Sequence, residues 1–272
     1  MGHGIAQVAA ASGHRVTLFD IDAAALERAR ARVAANLDKG VRLGKVTGPE
    51  REETLENLTT SADLEDAVAG ADLVVEAAPE KLELKRDIFA RVEAAAPEGS
   101  LLATNTSSLS IAAIAEALDR PERFLGLHFF NPVHIMALVE VVRGPATSEA
   151  TMESALAFVR RLGKEPVVVK DSPGFASSRL GVVLGLEAMR MVEEGVAEPE
   201  AIDRAMELGY RHPMGPLKLT DLVGLDVRLG IAEYLHETLG SDAFRPPAIL
   251  RRMVADGKTG KKAGQGFYDW SE

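Results

Sequence analysis

Short runs of β-branched residues alternate with helical patterns up to about Lys170, and no other feature of the sequence constrains the fold as strongly. The runs that predict strands are RVTLFD (15–20), DLVVEAA (72–78), SLLATN (100–105), RFLGLHFF (123–130), LVEVV (138–142) and PVVVK (166–170). The intervals that predict helices are roughly 23–37, 82–96, 111–117 and 149–162. Alternation of this kind predicts an α/β domain with a mostly parallel sheet.

The remainder of the chain has a different pattern. After KDSPGF (170–175) the β-branched runs stop, and helices are predicted over about 174–194, 198–208, 215–239 and 247–256. We therefore expect two domains, 1–170 and 171–272, of which the second is all-α. The longest irregular stretch, DKGVRLGKVTGPE (38–50), is basic and punctuated by glycine, and it is interpreted as a turn between two helices of the first domain.

Composition narrows the classes of function. The 272 residues carry a formal net charge of −10, which argues against nucleic acid as a partner because phosphate binding requires a basic surface. No run of the sequence approaches the roughly 18 apolar residues of a membrane span. The absence of cysteine excludes disulfides, thiolate catalysis and cysteine-ligated metal, and it is typical of a reducing compartment. We expect a cytoplasmic protein that acts on small molecules, with no metal ion, nucleic acid or membrane as a partner.

The chain opens on a helical segment, MGHGIAQVAAASG, and the strand that follows ends in Asp20. A dinucleotide-binding unit consists of a strand, the turn G-x-G-x-x-G, a helix and a second strand, whose terminal acid holds the ribose hydroxyls. Asp20 lies 18 residues after Gly2, which therefore matches the third glycine of that turn. The match predicts NAD rather than NADP, because a carboxylate repels a 2′-phosphate. The alternative is that Asp20 only caps a turn in some other β-α-β protein.

A histidine and a glutamate in neighbouring runs form a second candidate. His128 follows an apolar strand, and Glu140 lies 12 residues on between valines, with a turn at Asn131-Pro132 between them. A returning strand would bring the two side chains together. A carboxylate beside an imidazole fixes its tautomer and stabilises the imidazolium that forms on accepting a proton. In the alternative interpretation Glu140 lies on a solvated strand face and His128 is a core histidine.

Three further stretches carry polar groups at places where ligands bind. In NTSSLSI (105–111), Ser107 follows a predicted strand, where substrates sit in parallel sheets, although a serine there also commonly caps a helix. Ser178 lies in the first turns of the helix after KDSPGF and is expected to face the cleft between the domains. Near the end, GKTGKKAGQGFYDW offers Lys261 or Lys262 to an anion; the alternative is a solvated lysine pair.

Taken in order, these stretches resemble one family, the L-3-hydroxyacyl-CoA dehydrogenases, which include the bacterial 3-hydroxybutyryl-CoA dehydrogenases. The resemblance covers essentially the whole chain through the blocks VVEAAPEKLELK, NTSSL, RFLGLHFFNPV, LVEVV, GKEPVVVKDSPGF, MGPLKLTDLVGLD and GKKAGQGFY. It implies a Rossmann-like NAD domain followed by a helical C-terminal domain that forms a homodimer. It also implies reversible oxidation of a short (S)-3-hydroxyacyl-CoA, such as 3-hydroxybutyryl-CoA, to the 3-ketoacyl-CoA, with hydride transfer to NAD.

The resemblance also implies roles for individual residues. His128 resembles the catalytic base, Glu140 the carboxylate that orients it, and Ser107 a hydrogen-bond partner of the substrate oxygen. The cofactor contacts that it implies are Gly2, Asp20, Glu80, Lys85, Ser107, Asn131 and Lys262. The basic residues Lys39, Arg42 and Lys45 are expected to meet the CoA phosphates, which would give an acidic protein a local site for an anionic thioester.

Two departures from the family pattern matter. Ser178 stands where many members carry an asparagine that hydrogen-bonds the substrate. A serine hydroxyl is shorter and has one donor rather than two, so either it acts through a water or the substrate sits differently, and the preferred acyl length and the rate stay open. The strand and first two glycines expected before Gly2 are not in the sequence, so Met1 is interpreted as an internal methionine and the missing strand as a central one. Two other functions remain: a related dehydrogenase acting on a sugar acid such as gulonate, and a cofactor-impaired, non-catalytic dimer.

Overall fold

A computed structural model describes residues 1–271 of the chain. The chain divides into two compact units, Met1–Asp171 and Ser172–Glu272. The first unit combines strands with helices, and the described part of the second contains helices and turns without a strand. The α/β composition of the first unit and the helical composition of the second agree with the fold class predicted from the sequence.

Strands and helices alternate along the first unit. The strands are β1 (Val16–Phe19), β2 (Leu58–Ser61), β3 (Leu73–Glu76), β4 (Leu101–Thr104), β5 (Phe124–Phe129), β6 (Leu138–Arg143) and β7 (Glu165–Lys170). The helices are α1 (Gly2–Ala11), α2 (Ala23–Arg42), α3 (Gly48–Glu56), α4 (Leu64–Val68), α5 (Leu82–Ala95), α6 (Ile111–Ala115) and α7 (Glu149–Arg161). The order places a helix between most pairs of parallel strands, as a β-α-β fold requires.

The strands form two sheets. β1 pairs with β2 in parallel, and the larger sheet has the order β3-β4-β5-β6-β7. In the larger sheet β3, β4 and β5 are parallel, β6 is antiparallel to β5, and β7 is parallel to β6. The prediction of a mostly parallel sheet is therefore confirmed, with the β5–β6 pair as the exception. β1 and β3 are not paired with each other.

The larger sheet, α1 and α7 enclose the main core of the first unit. Leu125 and Leu127 of β5, Val141 of β6 and Val159 of α7 are all completely buried in it. Every residue of β5 is buried, as expected for a central strand with both faces covered. A second cluster packs α1 against α2 and β2. This burial fixes the carboxyl end of β5, where the candidate site begins.

Three elements of the first unit, α3, β2 and α4, are not predicted from the sequence. β2 (LTTS) is short and partly polar, and it exists through its ladder with β1 rather than through an apolar run of its own. α2 continues to Arg42 and α3 begins at Gly48, so the interpretation of 38–50 as a turn is wrong for residues 38–42 and 48–50. α3 begins with a capping box in which Thr47 and Glu50 exchange hydrogen bonds, a signal that is legible in the sequence.

The second unit is built from helices packed around one core. They are α8 (Ser177–Glu193), α9 (Pro199–Gly209), α10 (Pro216–Val223), α11 (Leu225–Leu239) and α12 (Ala248–Ala255). The single helix predicted over 215–239 is interrupted because Gly224 adopts a φ of 106°, which ends α10 and starts α11. Leu217 and Leu235 are completely buried in the core. Within residues 1–271, no helix is both long and apolar enough to cross a membrane.

Two buried aspartates hold the C-terminal tail onto the second unit. Asp221 accepts hydrogen bonds from the backbone N–H groups of Phe267 and Tyr268 and from the indole N–H of Trp270, each at 2.9 Å. Asp203 accepts from two backbone N–H groups at the start of α10 and from the Tyr268 hydroxyl, each at 2.8 Å. Because buried carboxylates require such donors, the tail is an integral part of this unit.

Candidate active site

The side chains of His128 and Glu140 are hydrogen-bonded within the larger sheet. The antiparallel ladder of β5 and β6 sets the two residues directly opposite each other, so their side chains lie on the same face. Nδ1 of His128 and Oε2 of Glu140 are 2.8 Å apart, and the residues are 7% and 1% exposed. This burial excludes the alternative in which Glu140 lies on a solvated strand face.

The contact with Glu140 determines how the imidazole can transfer a proton. A carboxylate at Nδ1 favours the tautomer that donates from Nδ1, which places the lone pair for accepting a proton on Nε2. The same carboxylate stabilises the imidazolium that results. The ring of His128 also packs against Phe130, with 4.4 Å between the ring centroids. The hydrogen bond and the ring contact therefore fix the orientation of the imidazole, which is the arrangement that general-base catalysis requires.

The turn after β5 is held by a buried lysine that no sequence pattern indicates. Nζ of Lys164 donates to the carbonyl oxygens of Val133 and Met136 at 2.6 and 2.7 Å. Burial lowers the pKa of Lys164 below its ordinary value. Asn131, a predicted cofactor contact, is exposed at the start of this turn and is joined to Pro132 by a cis peptide bond. The backbone that carries Asn131 is thereby tied to the sheet.

The turn after β4 is organised around the carboxylate of Glu80. Its Oε1 accepts hydrogen bonds from the Thr106 hydroxyl (2.6 Å) and the Ser107 N–H (2.9 Å), and the Ser107 hydroxyl lies 3.2 Å from the same oxygen. Burial alone would raise the pKa of Glu80, but the Thr106 hydrogen bond, the charge of Lys85 and the N–H groups of the turn hold it below its usual value. Ser110, not Ser107, is the N-cap of α6, so Ser107 is not used as a helix cap.

Lys85 lies beneath Glu80 and is completely buried. Its Nζ donates to Oε1 of Glu76 (2.7 Å) and to the carbonyl of Ala78 (3.2 Å), and it lies 3.5 Å from Oε2 of Glu80. The other oxygen of Glu76 accepts from the Thr104 hydroxyl at 2.6 Å. In this arrangement Lys85 positions Glu80, while its predicted contact with the cofactor stays a prediction. Glu76, inside the run DLVVEAA, is not identified from the sequence.

The other predicted cofactor residues of the first unit lie where β1 ends and α1 begins. Asp20 follows β1 and is exposed, and its Oδ1 accepts a hydrogen bond from the N–H of Asp22 at 2.9 Å. α1 begins at Gly2, and no side chain caps its first turn. An uncapped helix N-terminus suits a pyrophosphate, and an exposed carboxylate at a strand end suits ribose hydroxyls. The groups present therefore fit a dinucleotide.

A cavity of about 240 Å³ lies beside the start of α1 and the turn after β5. It is lined by Met1, His3, Gly4, Asn36, Asn131, Pro132, Val133 and His134. Burial and the charges of Lys164 and Lys39 lower the pKa of His134, so the surroundings of the cavity are electropositive. Lys39 contributes to this potential, whereas Arg42 and Lys45 are exposed residues that do not line the cavity. No spacing pattern in the sequence indicates His134.

Ser178 and Lys262 belong to the second unit. Ser178 is partly buried in the first turn of α8. Lys262 is exposed, and its Nζ donates to Oδ2 of Asp226 at 2.6 Å. Burial alone would raise the pKa of Asp226, but the hydrogen bonds from Lys262 and from the backbone hold it below its usual value. Lys262 is therefore ion-paired, and its contact with an anionic ligand stays a prediction.

These features together define a class of protein. Parallel β-α-β units carry an exposed acid after β1, and a buried imidazole–carboxylate pair lies near the carboxyl end of β5. This is a dinucleotide-binding α/β domain that holds a buried imidazole–carboxylate pair, followed by a helical domain. Residues 1–172 match the family described as 3-hydroxyacyl-CoA dehydrogenase, NAD binding domain, and residues 174–270 match the C-terminal domain of the same family. The chain belongs to the 3-hydroxyacyl-CoA dehydrogenase family.

Individual relatives agree with this assignment. A probable 3-hydroxybutyryl-CoA dehydrogenase of Bacillus subtilis (strain 168) is 45% identical over 272 residues, which cover 100% of this chain and 94% of that protein. The mitochondrial hydroxyacyl-coenzyme A dehydrogenase of Sus scrofa is 45% identical over 99% of this chain and 88% of that protein. The crystal structure of (S)-3-hydroxybutyryl-CoA dehydrogenase from Ralstonia eutropha has a TM-score of 0.95 at 41% identity, covering 100% of this chain and 96% of that one. The predicted family, fold class, enzyme class and NAD cofactor are confirmed.

Proposed function

We propose that this chain oxidises short-chain (S)-3-hydroxyacyl-CoA thioesters, 3-hydroxybutyryl-CoA among them, to 3-ketoacyl-CoA. The observation that supports the proposal most directly is the 2.8 Å hydrogen bond between His128 and Glu140. A secondary alcohol keeps its proton at neutral pH, so loss of a hydride requires a base that removes the proton in the same step. Bound NAD supplies the hydride acceptor.

His128 performs the proton transfer in this proposal. Its Nε2 takes the proton of the 3-hydroxyl group, and Glu140 stabilises the imidazolium through the hydrogen bond at Nδ1. In the reverse direction the same imidazolium donates the proton to the ketone oxygen. Because Glu140 is buried in the sheet, the imidazole is already oriented before the substrate arrives, which lowers the cost of reaching the reactive geometry.

Two serine hydroxyl groups complete the proposed substrate contacts. The hydroxyl of Ser107 is 3.2 Å from Oε1 of Glu80. Because the single proton of the 3-hydroxyl group is donated to Nε2 of His128, Ser107 turns its own O–H from Glu80 to the substrate oxygen and donates to it. Ser178 supplies a hydroxyl with a single donor where an amide would supply two, so it holds the substrate oxygen more loosely.

The cofactor and CoA are assigned to the carboxyl ends of the strands in the first unit. Asp20 binds the ribose hydroxyls, and the backbone at Gly2 meets the pyrophosphate. Further cofactor contacts are assigned to Glu80, Asn131 and Lys262, whereas Lys85, whose side chain is completely buried, acts by positioning Glu80. The CoA phosphates are assigned to the electropositive cavity beside Lys39, with Arg42 and Lys45 extending the basic surface.

A homodimer formed through the second unit is also proposed. Apolar side chains that are 40–62% exposed lie on three neighbouring helices, α8, α10 and α11: Leu180, Leu184, Leu219, Leu222, Val223 and Val227. Exposed apolar groups concentrated in this way are typical of a subunit contact. A second copy of the chain is the partner that the family resemblance implies. A cytoplasmic location stays a prediction from the absence of cysteine.

The test is NADH oxidation with acetoacetyl-CoA and NAD reduction with (S)-3-hydroxybutyryl-CoA. We expect wild-type activity with both, and a kcat lowered by about 10²- to 10⁴-fold in His128→Gln with little change in the KM for NADH. His14→Gln, which changes a histidine outside the proposed site, is the matched control. Activity with gulonate but not with CoA thioesters would favour the sugar-acid dehydrogenase. NADH binding without turnover of either substrate, or full activity of His128→Gln, would contradict the proposal.

A further inference from the structure

The side chain of Asn105 joins two strands of the larger sheet beyond the point where their ladder ends. The ladder between β4 and β5 stops at Gly126, so the last three residues of β5 have no partner in β4. Oδ1 of Asn105 accepts a hydrogen bond from the N–H of Phe129 at 2.8 Å. The carboxamide therefore takes the place of a neighbouring strand at the end of β5, which carries His128.

The N–H group that Asn105 accepts has no access to water. Phe129 is 2% exposed, and a buried N–H without an acceptor destabilises the conformation that contains it. Because an N–H can only donate, Oδ1 rather than Nδ2 of Asn105 faces β5, and the orientation of the amide is fixed. The backbone at the end of β5 therefore depends on this one acceptor.

Asn105 is itself held in place from the other side. Its backbone N–H donates to the carbonyl oxygen of Glu76 at 2.7 Å, which extends the ladder between β3 and β4 by one residue. Ser107 follows two residues later, and its N–H is bonded to Glu80 at 2.9 Å. Asn105 is thus fixed to β3 by its backbone and to β5 by its side chain, and it begins the turn that carries Ser107.

This link connects the two groups that act on one substrate oxygen in the proposed function. His128 accepts the proton of that oxygen from the end of β5, and Ser107 donates to the oxygen from the turn after β4. The two groups are supplied by different segments, so their separation depends on how those segments are joined. A displacement of about 1 Å between reacting groups lowers a rate by about 10²-fold.

We propose that Asn105 is a positioning residue, which sets the distance between the imidazole of His128 and the hydroxyl of Ser107. This inference rests on the proposed function and adds a residue to it. Asn105 acts through the backbone of Phe129 and needs no contact with the substrate. Its loss should therefore slow the chemical step rather than weaken the binding of NADH.

The experiment measures a single turnover in four proteins. Enzyme in excess over NADH is mixed rapidly with saturating acetoacetyl-CoA, and the decay of NADH absorbance gives a rate constant that does not depend on the folded fraction. The proteins are the wild type, Asn105→Ala, Asn105→Asp and Asn57→Ala. Asn57 is the matched control, a partly buried asparagine of the first unit whose Nδ2 donates to the carbonyl of Ala10 at 3.2 Å.

We expect Asn105→Ala to lower this rate constant by about 10- to 100-fold, with the KM for NADH essentially unchanged. Asn105→Asp keeps an acceptor for the N–H of Phe129, so its rate constant should lie closer to that of the wild type. Asn57→Ala should keep the wild-type rate constant. Amide hydrogen exchange reports the bond independently of activity, and it should become faster at Phe129 in Asn105→Ala alone.

A wild-type rate constant in Asn105→Ala would overturn the inference, and lower stability in urea would then assign Asn105 to the fold only. Unchanged exchange at Phe129, or equally slow turnover in Asn105→Ala and Asn105→Asp, would also overturn it, because the acceptor would not be what matters. Failure of the wild type to oxidise NADH would instead remove the proposed function. If Asn105→Ala does not fold, Asn105→Gln, which displaces the amide by one methylene, replaces it: slower turnover supports the inference, and a wild-type rate constant overturns it.

Discussion

Removing one member of the Glu76–Lys85 pair is expected to destabilise the protein strongly. The two charges are 2.7 Å apart, and the side chains of Lys85 and Glu76 are 1% and 3% exposed. Because neither side chain reaches water, loss of one partner leaves the other charge buried, at a cost of about 3–5 kcal/mol. Glu76→Gln keeps an oxygen that can accept from Thr104, so we expect the lower value, about 3 kcal/mol. Lys85→Met should cost about the same.

The double variant Glu76→Gln/Lys85→Met distinguishes charge pairing from general packing. Because it removes both charges, we expect the free energy of unfolding to fall by about 3 kcal/mol rather than by the sum of the two single losses, about 6 kcal/mol. The difference of about 3 kcal/mol is a coupling energy near the upper end of the range for residues in contact. The assay is urea unfolding of wild type, both single variants and the double variant. Glu83→Gln on α5 is the control, because Glu83 is 78% exposed in its pair with Arg86 and should change stability by less than about 1 kcal/mol. Additive losses, or single losses as small as the control, would refute the coupling.

The same pair should also affect cofactor binding and pH dependence. Lys85 lies 3.5 Å from Glu80, and its charge helps to hold the pKa of Glu80 below the usual value. A carboxylate with a lowered pKa stabilises the fold above its unfolded pKa, about 4.3, and this contribution is lost as the pH falls through the folded value. In Lys85→Met we expect this loss to begin at a higher pH, and the KM for NADH to rise severalfold. An unchanged acid-unfolding profile would show that Lys85 does not act on Glu80.

Two further predictions concern the cavity and the C-terminal tail. Burial and the charges of Lys164 and Lys39 lower the pKa of His134, so an anion bound in the cavity should raise that pKa and take up a proton. We expect the affinity for 3′-phospho-ADP, measured by calorimetry, to increase from about pH 7.5 to about pH 6 more steeply in wild type than in His134→Gln; identical profiles would contradict an anion site there. Asp221→Asn weakens the hydrogen bonds that hold the tail, so we expect it to lower the free energy of unfolding by about 2 kcal/mol. Exposed Asp256→Asn should leave that free energy unchanged, and equal losses would argue against the anchor.

The fold class is predictable because buried strands of a parallel sheet need continuous apolar runs, which are legible without a structure. β2 is not predictable in this way, because its four residues depend on the ladder with β1 for their strand geometry. The interruption at Gly224 is also missed, because the apolar periodicity continues through a residue whose positive φ separates two helices. Sequence patterns therefore identify the helices and strands that have their own apolar periodicity. They miss a strand or a helix break that depends on contacts with the rest of the fold.

The polar residues of the site also divide into those that a local sequence pattern indicates and those that only the folded structure reveals. Glu140 attracts attention because valines flank a carboxylate, and a histidine lies within reach of a hairpin. Glu76 is also flanked by apolar residues, Val75 and Ala77, yet its partner Lys85 is a helical lysine nine residues on that has the sequence pattern of a surface residue. Lys164 and His134 carry no pattern at all, because their roles arise from carbonyl groups and charges that approach only in the folded chain.

The antiparallel course of β6 explains how a carboxylate can be fixed beside a base at the end of a parallel sheet. His128 is near the carboxyl end of β5, and the return of the chain brings the beginning of β6 alongside it, so Glu140 pairs with His128. Glu140 also pairs with Val167 of β7, so ladders on both sides hold its backbone. A slip of one residue between β5 and β6 would place Val139 or Val141 opposite the imidazole and turn the carboxylate to the other face. The orientation of the base is therefore set by the same register that buries the valines of β6, and a change that loosens this core should lower kcat before it unfolds the protein.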